Sequence, residues 1–255
     1  MTILQSFLLG LLQGVAEFLP ISSSGHLRIA QALFNLEEVP LLFDVMLHLA
    51  TLLAVCIFFR KKILELLCFR DKKYIVDVIA ATVITGIIGI MTKKLLDEDK
   101  ISIKFTCAGL MATALILILS SICEKRRAPV EKKTPTLLQS LIIGFAQGIG
   151  TLPGISRSGS TIAGALFCGV DREVAGEFSF IVSIPAILGA FMLEVKDLDK
   201  ISSSIGLMPL LIGCITAFAS GYFALAVLMK LIKKGRLLWF AAYLIPVGII
   251  GLICL

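Results

Sequence analysis

Gln147-Gly148-Ile149-Gly150-Thr151-Leu152-Pro153-Gly154-Ile155-Ser156-Arg157-Ser158-Gly159-Ser160-Thr161 is the stretch on which the fold turns. An apolar arm leads into it from Leu137, Pro153 and Gly154 break that arm, and an apolar run of about ten residues follows from Ile162, too few to cross a bilayer. The break is either a kink in one crossing helix or the tip of a hairpin that returns to its own side. The charges on either side choose between the two. Basic residues cluster at Arg60, Lys61, Lys62, Arg70, Lys72 and Lys73, at Lys125, Arg126, Arg127, Lys132 and Lys133, and at Lys230, Lys233, Lys234 and Arg236. Such loops stay on the cytoplasmic side. If 137–170 crossed once, three crossings would separate the second basic loop from the third and leave one of them outside, so the segment re-enters.

Outward from this stretch, the 255 residues are 58% hydrophobic and 16% charged, a balance that excludes an ordinary soluble domain. Apolar runs of crossing length occur at 41–59, 75–92, 102–122, 176–193, 207–229 and 237–255, which predicts six full crossings. The loops at 93–100 and 194–204 carry Asp97, Glu98, Asp99, Glu194, Asp197 and Asp199 and are expected to face outward. The first nineteen residues are apolar, but Glu17, Pro20 and a serine run follow them, and neither a basic start nor a small-residue cleavage site marks a signal peptide. The net charge of +6 lies in short loops beside the crossings. That placement argues for membrane lipid as the surrounding partner and against nucleic acid. The seven cysteines show no CxxC pair and no metal-ligand spacing, and read as buried small apolar side chains.

Sliding the chain against itself by 134 positions superimposes Gly10, Gln13, Gly14, Ile21, Ser22, Ser24 and Gly25 on Gly144, Gln147, Gly148, Ile155, Ser156, Ser158 and Gly159. The chain is a duplication. One position further, Phe43–Val55 tracks Phe178–Ala190, with His48 against Ser183. The expected architecture is therefore all-α and polytopic, one integral membrane domain over 1–255 with repeats at about 1–130 and 135–255. Each repeat holds one re-entrant helical hairpin and three transmembrane helices. An odd number of crossings per half inverts the second half relative to the first, so the hairpins enter from opposite sides and their tips can meet. Irregular backbone at membrane depth must be buried in protein or line a watery cavity. The tips predict the site.

Gln13 and Glu17, four residues apart, share a helical face; Ser22, Ser23, Ser24 and Gly25 form the first turn, and His26 begins its second arm. The second tip supplies Gly154, Ser156, Arg157, Ser158, Gly159 and Thr161. An unpaired charge at that depth costs roughly 2.5–3.5 kcal/mol or more, so a carboxylate and a guanidinium there mark function. Arginine grips phosphate oxygens with a planar fork, helix starts and turn amides add donors, and glycines admit the backbone. Glu17 suits a base or a ligand for a divalent ion, and His26 or a serine a nucleophile or proton carrier. Structural readings stand beside these. Gly10, Gly14, Gly144 and Gly148 suit helix packing, Glu17 and Arg157 can form a purely structural ion pair, and His48 and Asp44 bond neighbouring helices, with a minor site role left open by their proximity to the first tip. Asp171, Arg172 and Glu173 read as a helix start, and Asp77 as an interfacial residue.

The two segments Gln13-x-x-x-Glu17-Phe18-Leu19-Pro20-Ile21-Ser22-Ser23-Ser24-Gly25-His26 and Pro153-Gly154-Ile155-Ser156-Arg157-Ser158-Gly159 together resemble the signatures of the bacitracin-resistance undecaprenyl diphosphate phosphatases. The resemblance runs over essentially the whole chain. It implies hydrolysis of undecaprenyl diphosphate to the monophosphate that carries peptidoglycan precursors, at the extracytoplasmic side of the bacterial plasma membrane, with Mg2+ or Ca2+ in support. By position it makes Glu17 the essential acid and a candidate metal ligand, His26 and Ser23 the candidates for nucleophile or base, and Arg157 the diphosphate clamp. Ser24, Ser156, Ser158 and Thr161 complete the phosphate shell. The family's first acidic position is Gln13 here, which removes one metal ligand. A homodimer stays open. A secondary transporter or lipid flippase on the same inverted repeat is the competing reading, and a scaffold comes last because it has no use for Glu17 and Arg157 at the turns.

Overall fold

The computed structural model describes residues 1–34, 41–96, 101–126, 133–194 and 206–254, and all regular structure among them is helical. In chain order the helices are α1 (Ile3–Phe18), α2 (Ser23–Leu33), α3 (Leu41–Phe58), α4 (Arg60–Leu67), α5 (Lys72–Leu95), α6 (Ile103–Lys125), α7 (Leu137–Ile149), α8 (Arg157–Phe167), α9 (Arg172–Glu194), α10 (Leu207–Lys233) and α11 (Leu238–Cys254). The two hairpin arms start alike. Thr2 and Thr136 are N-caps whose side chains accept the amides of Gln5 and Gln139, while those glutamine side chains accept the cap amides at 2.7 and 2.8 Å.

Of the six expected crossings, α5, α6, α9 and α10 are long and apolar enough by themselves. A fifth is α3 taken with α4, but the two are bent by 81° where Phe59 gives way to Arg60, Lys61 and Lys62 and the chain leaves its apolar run. The sixth is α11, whose 17 residues lie at the short end of the crossing range. A row of exposed apolar side chains on α5, including Val76, Ile79, Val83 and Ile87, is what a lipid-facing helix presents. Of the cysteines read as buried small apolar side chains, Cys107 alone is fully buried, whereas Cys68 and Cys254 are exposed.

The basic segments gather at one end of the molecule. Lys62 lies 3.6 Å from Asp71, Lys73 donates to the Pro135 carbonyl, Arg172 pairs with Glu124, and Lys233 pairs with Glu173. At the same end, Gln139 at the start of α7 donates through Nε2 to the Cys168 carbonyl just past α8, at 3.0 Å. The two arms of this segment therefore begin and finish together, as a hairpin and not a kinked crossing. Asp77 is buried and bound to Lys73 Nζ at 2.7 Å, and the Asp171 side chain accepts the Glu173 amide at 2.9 Å as the start of α9 requires.

Each hairpin packs on the opposite half. α1 runs parallel to α10, with Gly10 against Gly213 and Gly14 against Ala217 and Gly221; α7 runs parallel to α5, with Gly144 against Ala81 and Gly148 against Ile88. α3 packs on α9, α6 on α11, α3 on α10, and α5 on α9, so exchanging the halves maps the pairs onto one another. The small residues read as packing sites do serve for close approach. A Cβ on Gly144 would stand 2.7 Å from Ala81 Cα, inside backbone that cannot yield. Gly144→Ala is expected to cost about 1–3 kcal/mol, read as earlier thermal unfolding in detergent. Gly86→Ala, where the added Cβ meets nothing within 4 Å, leaves unfolding unchanged or slightly later.

Candidate active site

The tips of the two hairpins touch. Ser158 Oγ donates to the Leu19 carbonyl at 3.3 Å, a Cβ on Gly159 would lie 3.2 Å from that of Pro20, and one on Gly25 would lie 3.4 Å from Gly154 Cα. Phe18, at the end of α1, packs edge-on against Phe180 of α9 at 5.8 Å and closes the contact from below. At this junction Arg157 Nη2 donates to Glu17 Oε1, joining residues 140 positions apart in the chain.

Glu17 is the hub of the cluster. Its Oε2 accepts from Ser23 Oγ at 2.6 Å and from Gln13 Nε2 at 3.1 Å, and His48 Nε2 lies 3.7 Å away. The His48 Nδ1 stands 2.8 Å from the Asp44 carbonyl, an acceptor only, so that nitrogen carries the proton and Nε2 faces the carboxylate. The Glu17 side chain is 4% exposed. Arg157 offsets the cost of a charge so deeply buried, and the Ser23 and Gln13 donors satisfy its other oxygen.

Two helix starts point at this cluster. Ser22 and Ser156 cap α2 and α8, their side chains accepting the Gly25 and Gly159 amides at 3.3 and 3.1 Å, and the helix N-termini they cap carry amides suited to an anion. Ser22 has φ 71° and ψ 99°, a conformation that costs a non-glycine residue about 1–3 kcal/mol. A cavity of about 430 Å3 opens beside the cluster, within the roughly 300–1,000 Å3 of small-molecule sites. Its polar floor is Glu17, Ser22, Ser23, Ser24, His48, Ser156 and Arg157, and its apolar wall is Val45, Leu49, Ile187, Ala190 and Phe191 from α3 and α9. A headgroup with a hydrocarbon tail fits that division.

The sequence pattern of the family described as Bacitracin resistance protein BacA matches residues 6–250. The chain belongs to the BacA family. Relatives include the undecaprenyl-diphosphatase of Treponema denticola, 48% identical with 98% of this chain and 96% of the relative covered. That of Carboxydothermus hydrogenoformans is 41% identical, covering 96% and 94%. That of Halothermothrix orenii is 38% identical, covering 99% and 98%.

Within this BacA-family chain the residues expected at the site divide into two groups. Ser23, Arg157 and Gln13 each bond to Glu17, and Ser22, Ser24 and Ser156 line the cavity. Ser158, Thr161, Gly25, Gly154 and Gly159 hold the tips together from behind. Thr161 Oγ1 donates to the Arg157 carbonyl at 2.9 Å and meets Ser179. Gly154, at φ 85°, lies so close to the Thr106 carbonyl that no side chain fits. His26 belongs to neither group. Its ring is buried and turned to α11, with Nε2 2.9 Å from Tyr243 Oη.

Tyr243 was not legible as a site residue, because it sits in a uniformly apolar helix 217 positions from His26. His48 was read as bonding a neighbouring helix with a minor site role left open; its bond to the Asp44 carbonyl lies within α3, and its other nitrogen faces Glu17. The donors do not fit a protein-built divalent site. Both Glu17 oxygens are engaged, Gln13 stands where a second carboxylate would be needed, and among the described residues no three His, Cys, Asp or Glu side chains gather.

Proposed function

We propose that this chain hydrolyses the terminal phosphate of a polyprenyl diphosphate, undecaprenyl diphosphate in the cell, to the monophosphate that carries cell-wall precursors, and so confers resistance to bacitracin. The observation that carries the reading is the Ser23 hydroxyl at 2.6 Å from Glu17 beside the Arg157 guanidinium. The BacA relatives bear undecaprenyl-diphosphatase names in support, and none of those compared bears a transporter name.

In this reading the diphosphate enters the cavity, takes the outward N–H groups of Arg157 and the amides at the starts of α2 and α8, and draws Arg157 away from Glu17. Ser23 Oγ attacks the terminal phosphorus while its proton passes to Glu17; the bond to the bridging oxygen breaks and the polyprenyl monophosphate leaves. Water then hydrolyses the phosphoserine and inorganic phosphate departs. The pairing of the halves and the directions of α1 and α7 support an inverted repeat. The cavity lies near Asp44 and Phe191, at the helix ends away from the basic loops, which supports opening on the extracytoplasmic side.

Purified protein is expected to release inorganic phosphate from undecaprenyl diphosphate, and Ser23→Ala to lower that release about 10²–10⁴-fold with folding intact. Full turnover by Ser23→Ala would leave Ser23 without the role of nucleophile. Absence of release by the unaltered protein would remove the hydrolase reading itself.

A further inference from the structure

The two hairpin tips are repeats of one another, and their capping serines differ in backbone conformation. Ser22 and Ser156 both cap their helices, and each places its Oγ within 3.3 Å of the serine two residues on. Ser156 nevertheless has φ −75°, whereas Ser22 has φ +71°, a backbone state that a residue with a side chain keeps only when its surroundings enforce it. Enforcement is visible at Ser22. Its carbonyl oxygen receives the His26 amide at 3.2 Å and stands 2.8 Å from His26 Nδ1. A carbonyl only accepts, so Nδ1 carries the proton, and in the neutral ring Nε2 accepts from the Tyr243 hydroxyl at 2.9 Å. The His26 and Tyr243 rings are stacked, with centroids 5.6 Å apart and planes 15° from parallel.

The second tip is tied to the paired helix in a different way. Thr113 of α6 donates to the Gly154 carbonyl at 3.2 Å and accepts the Ser156 amide at 2.9 Å, and the residue at the place of His26, 134 positions on, is Ser160. α6 and α11 pack on each other, so each tip is pinned to one of a joined pair of helices. Only the pin on the first tip holds a turn out of its preferred conformation, and that turn leads directly into Ser23. We propose that Tyr243 is a positioning residue for phosphate release: its hydroxyl fixes the His26 ring, the ring holds the Ser22 carbonyl, and the turn so held keeps Ser23 Oγ on Glu17. The inference rests on the hydrolase reading above and adds to it a residue outside both motifs.

The test is the kinetics of phosphate release from undecaprenyl diphosphate by Tyr243→Phe, Ser22→Gly and the double variant. Phenylalanine keeps the stacked ring and loses the hydroxyl. It is expected to lower kcat about tenfold with KM within about twofold, the size of one lost hydrogen bond felt at the nucleophile. Glycine takes a positive φ without enforcement and replaces a serine cap at small cost. In the Ser22→Gly background, Tyr243→Phe is therefore expected to lower kcat less than about threefold. Equal losses in both backgrounds, a change confined to KM, or no loss in either overturns the proposal. A protein that releases no phosphate even unaltered overturns the hydrolase reading instead, and the brace is then read by 15N NMR of the His26 ring. Protonated Nδ1 with hydrogen-bonded Nε2 upholds it, and an Nε2 signal that Tyr243→Phe does not move overturns it. Should Tyr243→Phe fail to fold, the same spectrum of the unaltered protein decides, an Nε2 free of any hydrogen bond being the contrary result.

Discussion

Arg157→Ala is expected to lower phosphate release from undecaprenyl diphosphate about 10³-fold or more. The guanidinium borders the cavity and pairs with Glu17, so it is a cation fixed where the leaving and transferred phosphates gather negative charge. Removing one preorganised charge-stabilising donor costs about 10²–10³-fold, and an arginine acting on a transferred phosphoryl group about 10³–10⁵-fold. Arg157→Lys regains only a small part, because an ammonium cannot present the planar fork. Stability shifts as well. The alanine variant leaves the Glu17 carboxylate without its cation, a change that costs roughly 3–5 kcal/mol when the pair is buried. Turnover is therefore compared per folded protein, judged by thermal unfolding in the same detergent.

Glu17→Gln is expected to lower release about 10²–10⁴-fold by a different route. The amide keeps the size of the side chain and still accepts a hydrogen bond from Ser23, but it cannot take the Ser23 proton. Folding suffers less than in Arg157→Ala, because the guanidinium left behind is 23% exposed and borders the cavity, where water and substrate phosphate reach it. A Glu17→Gln protein with normal kcat would show that the carboxylate serves only to hold Arg157.

These two residues were also the easiest to read from the sequence, and the reason is energetic. A carboxylate and a guanidinium among apolar arms are too costly to keep without a task, and proline, glycine and serine at 20–25 and 153–160 mark where each arm turns back. The 134-residue repeat made the two turns equivalent, and the basic loops fixed the second as a hairpin, which the Gln139–Cys168 contact bears out. Composition also gave the all-helical membrane fold.

What could not be read depends on packing between distant helices. The crossing expected at 41–59 is α3, but the 81° turn into a further helix, α4, over Arg60, Lys61 and Lys62 left no mark in the apolar pattern. His26 was assigned to the site from its place in the motif. In a helical start, though, one residue's position does not fix which way its ring turns, and α11 supplies Tyr243 on the far side. His48 shows the opposite case, a residue read chiefly as a helix tie with only a minor site role left open, whose Nε2 faces Glu17 at 3.7 Å because α3 packs beside α1.

The central claim is that the two hairpin tips form one reacting site, and the most direct measurement is phosphate release by the Glu17→Gln/Arg157→Ala double variant beside the two single variants. Groups that act as one unit lose their function together. The double variant is expected to be as slow as the slower single variant, within about threefold. Losses that multiply would contradict the account, because they would mean that Glu17 and Arg157 act independently.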